Sequence, residues 1–405
     1  MKKYDVIIIG GGAAGMMAAI QVGKRGRKCL ILEHNNRLGK KILATGNGKC
    51  NYTNLYQGME CYRGSNPEFA WNIVSKFDCN KTLDFFKELG ILPKFRNGYA
   101  YPNSEQAASI ADVLALECAR YQVKIKLSEH VVDVKKEKDT FFVSTETYTY
   151  ESSTVILATG GCAAIKQGSD GSGYPIAQSF GHSLLPSFPA LVQLKTKEKY
   201  GKVISGVRCE AKGKILCDQK EVTFESGEFL FTDYGVSGIP IFQMSRFALA
   251  LLEQQKTPRL YLDFFPEMTE EECFSYLKQR FVNGGYKTAE QVMIGMLNHK
   301  LSYLLLTECK ISCSKPATEV SDQELKQFTR YLKNFAFTIT GSNGFEQAQV
   351  SAGGVSTTEV DENTMESKLV KGLFFAGEIL DVDGTCGGYN LQWAWSSGFL
   401  AGCFA

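Results

Sequence analysis

Three glycines near the start of the chain are spaced to hold a pyrophosphate. Gly10, Gly12 and Gly15 lie in the run Gly10-Gly11-Gly12-Ala13-Ala14-Gly15, a G-x-G-x-x-G turn in which each has its own job. Gly10 permits the tight turn, Gly12 lets the backbone approach the phosphates, and Gly15 lets a helix pack close to a sheet. Phosphates placed there meet the unpaired N–H groups and the positive dipole end of a helix. Glu33 adds a carboxylate where ribose hydroxyls belong. Together these residues bind the ADP half of a dinucleotide.

Other stretches carry chemistry suited to the rest of such a ligand. Thr45-Gly46-Asn47-Gly48-Lys49-Cys50-Asn51, continued by Tyr52-Thr53-Asn54, is dense in glycine and side-chain amides. A solvated loop would look similar, but Gly-Asn-Gly gathers backbone N–H groups into a small space, which suits carbonyls and phosphates. Ala158-Thr159-Gly160-Gly161 repeats the small-residue ending of the opening strand. Gly387-Gly388 precede a final helix. A helix N-terminus aimed at the pyrimidine edge of an isoalloxazine stabilises the negative charge of a reduced flavin near N1 and the C2 carbonyl. The competing reading is a structural helix capped by Asn390. Tyr99, Tyr101 and Tyr389 are candidate proton donors or substrate contacts, although tyrosines more often pack with a hydrogen-bonded tip. Cys50 and Cys386 read as small filler, with no base at triad spacing.

The elements that must position these residues follow from apolar patterning. Tyr4 to Ile9 reads as a buried parallel strand, followed by a helix to about Arg25 and a strand from Lys28 to Leu32. Residues 67–90 read as one helix, Gly98 to Pro102 as a strand or hairpin, and Ala107 to Tyr121 as an amphipathic helix. Strands follow through residue 151, and Thr154 to Leu157 is a buried strand returning beside the first. Gly168 to Tyr174 is glycine-rich, but no buried strand leads into it, so it is not a second fingerprint. Leu191 to about Leu262 alternates like short antiparallel strands, and Thr269 to about Lys333 reads as helices with Thr269 as a cap. The fold class is therefore α/β. A Rossmann-like domain with a parallel sheet (1–190 and 349–405) is interrupted by a β-barrel-like insert (191–265, return strand 334–348) and a small helical subdomain (266–333).

Composition narrows the classes. A chain of 405 residues exceeds one core. A net charge of +2 without a basic tract argues against nucleic acid or an anionic membrane as partner. No apolar stretch has the length of a membrane helix, and Asp5 with the glycine turn argues against a signal peptide. The 13 cysteines contain no C-x-x-C, which fits reduced thiols in a cytoplasm and argues against a dithiol-disulfide flavoenzyme. The four histidines form no cluster, so no metal site is expected.

The chain resembles the BaiN/YhiN-like flavoproteins, a branch of the two-dinucleotide-fold FAD enzymes. The matching residues span nearly the whole sequence. They are Gly10 to Gly15, Thr45 to Asn51 with Thr53-Asn54, Ala158 to Gly161, Gly227 to Thr232 with Gly235, Ser237 and Gly238, Thr364 to Lys368, and Gly377-Glu378 through Gln392. The resemblance implies FAD held at Gly10, Gly12, Ala14, Gly15, Glu33, Lys41, Thr45, Gly46, Asn51, Val132, Thr159, Gly160, Gly377, Glu378, Asp381, Asn390 and Leu391. Two positions depart from the family pattern. Lys49 stands where arginine is usual, keeping the charge but losing the planar fork, and Asp233 stands where a histidine is often found. The implied activity is that of an FAD-dependent oxidoreductase moving hydride between flavin N5 and a small organic substrate. With NAD(P)H as a transient electron donor it reduces a conjugated C=C of an enone such as a steroid or bile-acid-like compound. The alternatives are an oxidase of a small aminoketone that releases H2O2, and a low-turnover flavin-binding sensor or RNA-modification accessory. An FAD-dependent RNA methyltransferase shares the first domain, but the near-neutral charge does not support the basic surface it needs.

Overall fold

The apolar run ahead of the glycine turn is an inner strand, Lys2–Ile9, of a seven-stranded sheet in the computed structural model, which describes residues 2–405. Cys29–Glu33 pairs with it in parallel on one side and Thr149–Leu157 on the other, so Ile9 lies between Leu32 and Leu157. Both faces of such a strand are covered, which is why it reads as a continuous aliphatic run. The strand expected to return beside the first does so, but it is longer than its apolar core. Its first half pairs antiparallel with Thr140–Thr145 and its last residues pair parallel with Leu373–Phe375. Ser152 and Ser153 break the apolar pattern between the halves. Ser152 is nevertheless buried, with its hydroxyl donating to the Thr154 carbonyl.

The chain divides into two units, Met1–Phe188 with Gln349–Ala405, and Pro189–Ala348. In the first unit the last helix, Tyr389–Phe404, packs on the helix that follows the glycine turn, Ala13–Lys24. The approach is set by small residues: a Cβ at Gly398 or Gly402 would lie 2.4 Å from the carbonyl oxygens of Ala14 and Ala18. A small three-stranded sheet joins Thr53–Asn54, Tyr99–Pro102 and Pro93–Arg96. The last two form a hairpin turning on Asn97-Gly98, both at positive φ, as a tight two-residue turn requires. The single helix expected over 67–90 is two, Pro67–Lys76 and Cys79–Glu88. The apolar spacing runs across the break, but Phe77 leaves the helical conformation (φ −134, ψ 79) and the Asp78 carboxylate accepts the Lys81 N–H to start the second helix.

In the second unit, Leu194–Thr196, Gly235–Ser237, Lys220–Phe231, Arg208–Cys217, Arg259–Asp263 and Phe335–Ser342 close a barrel in that order. The expectation of short strands throughout 191–262 is corrected by a 15-residue helix, Ile239–Glu253. Its aliphatic run hides the helical period, whereas Pro240 in the first turn was the available signal. Helices over 270–333 follow, and Thr269 starts the first of them in a reciprocal capping box with Glu272. Among the described residues no helix is long and apolar enough to cross a membrane.

Candidate dinucleotide site

The glycine turn separates into positions that are crowded and one that is open. A Cβ at Gly15 would sit 2.0 Å from the Gly10 carbonyl oxygen, and one at Gly10, which has φ +103, would sit 2.4 Å from the Ala158 oxygen. At Gly12 a Cβ would meet nothing within 4 Å. Gly12 also starts the helix, no side chain caps it, and its first turn holds no acid. Asn66, Asp78, Thr269, Thr288, Asn298 and Ser321 cap other helix starts, while those at Gln106, Ser172, Tyr200 and Gly238 are also without a side-chain cap. An open, uncapped N-terminus at the end of a parallel strand fits a pyrophosphate. Ala14 lies buried inside that first turn. Glu33 is buried and holds the turn itself: its Oε2 accepts the Gly11 N–H at 2.7 Å, and its Oε1 accepts the N–H and Nδ2 of Asn35. Val132 occupies an exposed bulge in the strand that begins just beyond Glu129, whose N–H reaches the Glu33 carbonyl.

The second half of the site lies at the N-terminus of Tyr389–Phe404. Its N-cap is Gly388, at φ +94, with no side-chain cap. The competing reading, a structural helix capped by Asn390, is thereby removed. Asn390 sits inside the first turn, and its side chain grips the Gly384 N–H and carbonyl instead. Gly387 and Gly388 are forced to be glycine by positive φ and by close neighbours. A Cβ at Gly388 would meet the Thr53 backbone at 2.9 Å and Asn51 Oδ1 at 3.0 Å, and one at Gly387 the Tyr99 ring at 2.9 Å. Asn51 Oδ1 is buried and accepts no hydrogen bond from the described residues. A buried amide oxygen without a donor costs about 1–3 kcal/mol, so a ligand N–H beside it fits. This acceptor and these two uncapped helix starts fit the pyrophosphate and isoalloxazine of FAD.

Of the remaining residues named from the resemblance, Gly377 and Thr159 lie against the first helix start, where a Cβ at Gly377 would be 2.9 Å from the Ala14 Cβ and one at Gly10 3.1 Å from the Thr159 Cα. Gly377 is clasped by the last helix: its N–H donates to Ser397 Oγ and its carbonyl accepts from Trp393 Nε1. Glu378 takes Lys41 Nζ at 2.6 Å and the Ser351 N–H at 2.7 Å. Asp381 accepts the Ser65 N–H at 2.7 Å, and Leu391 packs half-buried against the core. Thr159 and Gly160 lie just past the end of the returning strand at Leu157, Gly160 at φ +77. Thr45 is extended and Gly46 left-handed, but the loop spends two of its N–H groups internally, Lys49 on Gly46 and Cys50 on Thr45. Sequence reading missed Ser351, whose hydroxyl also accepts the Cys162 N–H. It also missed the buried amide Gln392, which joins the last helix to the loop. Gln392 accepts from Thr53 and donates to the Phe77 carbonyl, Thr82 and Ser396. Gln392→Leu should strand these partners and cost about 2–4 kcal/mol in urea unfolding of the apoprotein.

Of the three tyrosines, Tyr389 is buried and its hydroxyl pairs with the Cys61 thiol; burial drives its pKa far up. Tyr99 and Tyr101 are half-buried on one face of the hairpin, Tyr99 against Gly387 and Tyr101 beside Gly46.

A Ser–His–Glu arrangement lies elsewhere in this unit. His182 Nε2 is 2.8 Å from Ser367 Oγ and Nδ1 is 3.1 Å from Glu359. The ring is fully buried, and Ser367 also accepts the N–H groups of Leu369 and Val370, so this is a clamp rather than a nucleophile. Burial lowers the His182 pKa from 6.5 despite Glu359. Below pH 6.5 the unfolded chain takes a proton that the folded chain refuses. The contribution is thus complete above that pH and is lost as pH falls through the lower folded pKa. His182→Gln should flatten the acid side of the stability profile in this window by up to about 1.4 kcal/mol per pH unit, measured by urea unfolding.

Comparison with known proteins places the chain among relatives along its whole length. The model of the HI0933-like protein Rossmann domain matches residues 4–404. A 3-dehydro-bile acid delta(4,6)-reductase of Clostridium scindens is 43% identical over 98% of this chain and 97% of its own. Two ribosomal RNA dihydrouridine synthases are more distant. That of Haemophilus influenzae is 32% identical over 98% of both chains, and that of Escherichia coli is 30% identical over 98% of this chain and 96% of its own.

Proposed function

We infer the reaction from one premise: this chain belongs to the HI0933-like Rossmann family and is an FAD-binding oxidoreductase. It reduces a C=C bond conjugated to a ketone in a steroid-like substrate, with NAD(P)H as electron donor. The observation that carries this reading is the 43% identity, over 98% of the chain, to the bile-acid reductase. The more distant relatives support the same reaction class, because dihydrouridine differs from uridine by two hydrogens across a ring C=C conjugated to a carbonyl.

Bound FAD supplies a hydride at N5. The chain supplies the rest. Gly12 and the helix behind it would hold the pyrophosphate, Glu33 would meet the ribose from the turn it braces through Gly11 and Asn35, and Asn51 would accept a hydrogen bond from the flavin ring. The uncapped start of Tyr389–Phe404 favours negative charge on that ring. Lys41 and Glu378, locked to each other and to Ser351, hold their loop against the ligand. The reduced substrate needs a proton on the carbon next to its carbonyl, and Tyr99 or Tyr101 donates it from the half-exposed hairpin face.

Anaerobic mixing of the holoenzyme with NADH or NADPH, followed by an enone, tests the reading. Bleaching by the nicotinamide and recovery on adding the enone is the expected result. Bleaching by an aminoketone, with peroxide on admitting oxygen, would mean the oxidase. Recovery with a uridine-containing RNA but not with a steroid would move the substrate to nucleic acid.

A further inference from the structure

The hairpin that carries Tyr99 and Tyr101 also carries cations on the same face. In its antiparallel register Lys94 stands opposite Tyr101 and Arg96 opposite Tyr99. Directly opposed residues, and residues two apart along a strand, project from one side of a sheet. Lys94, Arg96, Tyr99 and Tyr101 therefore form one patch. Lys49, from the Gly46–Asn51 loop, joins them from the side, and all three cations converge on a single carboxylate, Glu105. Lys94 Nζ is 2.7 Å from Glu105, Lys49 Nζ is 3.5 Å away, and Arg96 also contacts it. Three positive charges share one negative charge, and the ammonium of Lys94 leads in holding the Glu105 carboxyl down to about 2.

This arrangement does little for stability. Lys49, Lys94 and Arg96 are each 40–48% exposed, and exposed ion pairs contribute little. Glu105 itself holds a left-handed backbone, φ +54, which is uncommon outside glycine. The opposite face explains the hairpin's packing, since Ala100 and Pro102 are buried there. The tyrosine face is left half-open, with surplus charge a few residues from the groups proposed to donate the proton. Exposed Leu55 and Tyr56 follow directly on Asn54, which pairs with Tyr99.

We propose that Lys94 and Arg96, with Lys49, form an anion subsite that holds the acidic end of the organic substrate while its enone lies at Tyr99 and Tyr101. Glu105 is the counter-ion that keeps the cations oriented until the substrate's anion joins them. The inference deepens the preceding functional reading and rests on it for the substrate's apolar body. The shared ligand chemistry is a carboxylate or a phosphate: a steroid acid offers the first, and the 2′-phosphate of NADPH offers the second.

The test is equilibrium binding to oxidised holoenzyme, read from the change in flavin absorbance. The ligands are a 3-oxo-4-ene steroid carboxylic acid and its methyl ester, and the proteins are wild type and Lys94→Gln/Arg96→Gln. The acid should bind wild type about tenfold more tightly than the ester at low salt, and the variant should erase that difference without weakening the ester. Equal binding of acid and ester to wild type, or a preference that survives in the variant, overturns the subsite. Failure of both steroids to bind sinks the steroid reading instead. The subsite is then judged by calorimetry with inorganic pyrophosphate: heat with wild type but not with the variant upholds it, and no heat with wild type overturns it. A comparison of NADPH with NADH separates the sources: an NADPH preference lost in the variant, with steroid acid and ester binding alike, gives the subsite to the donor's phosphate and overturns the substrate assignment. Glu105→Gln removes the counter-ion and should tighten the acid by severalfold.

Discussion

Replacing Gly12 by aspartate should strip FAD from the protein while leaving the fold intact. A side chain at this position enters open space, and φ is −78°, which any residue adopts. Aspartate is also a favoured N-cap, so the apoprotein should keep its stability or gain a few tenths of a kcal/mol. A carboxylate in that space faces the pyrophosphate and uses the N–H groups the phosphates need. The expected loss is at least about 100-fold in FAD affinity, measured by quenching of flavin fluorescence on titration into apoprotein. Gly15→Ala is the control with the opposite phenotype. Its Cβ would lie 2.0 Å from the Gly10 carbonyl, so the chain should fail to fold whether or not flavin is present. Wild-type FAD affinity in Gly12→Asp would remove the pyrophosphate from this turn.

The second large effect concerns the proton. The double substitution Tyr99→Phe/Tyr101→Phe keeps both rings, and hence the packing on Gly387 and beside Gly46, but removes both hydroxyls. Reduction of an enone should slow by about 10²–10⁴-fold, the range for loss of a positioned general acid. Flavin reduction by the nicotinamide and reoxidation by oxygen should stay within a few-fold of wild type. Tyr389→Phe should have a small effect, because that hydroxyl is buried against the Cys61 thiol. Stopped-flow traces of the two half-reactions separate these outcomes. An unchanged enone rate in the double variant would take the proton donor off the hairpin.

The parts of the site that were legible in the sequence are those where glycine or an aliphatic run is obligatory. Gly10 and Gly15 are forced by backbone contacts shorter than any Cβ allows, and the strands beside them are buried on both faces, so their residues announce their place. Gly98 to Pro102 was legible as a strand or hairpin but its face was not, because the register that puts Lys94 beside Tyr101 depends on a turn at Asn97-Gly98. Long-range polar contacts left no local trace. Gln392, which reaches Thr53, Phe77 and Thr82, and Glu378, which reaches Lys41 and Ser351, look like ordinary polar residues until the chain brings their partners together. The sequence left two roles open for Asn390, a helix cap or part of the flavin-facing turn, and the cap falls because Gly388 already occupies that position while Asn390 turns back to Gly384. The long helix in the barrel unit was lost because its apolar run, Phe247 to Leu252, has no polar residue to show a period.

One measurement bears most directly on the central claim. The holoenzyme is photoreduced under anaerobic conditions, so that no nicotinamide is needed, and mixed with one equivalent of a 3-oxo-4-ene steroid acid. The account predicts that the oxidised flavin spectrum returns in a single turnover and that the steroid gains two hydrogens by mass. A flavin that stays reduced against the enone but reoxidises with oxygen, in an enzyme whose oxidised form is bleached by an aminoketone, would contradict it.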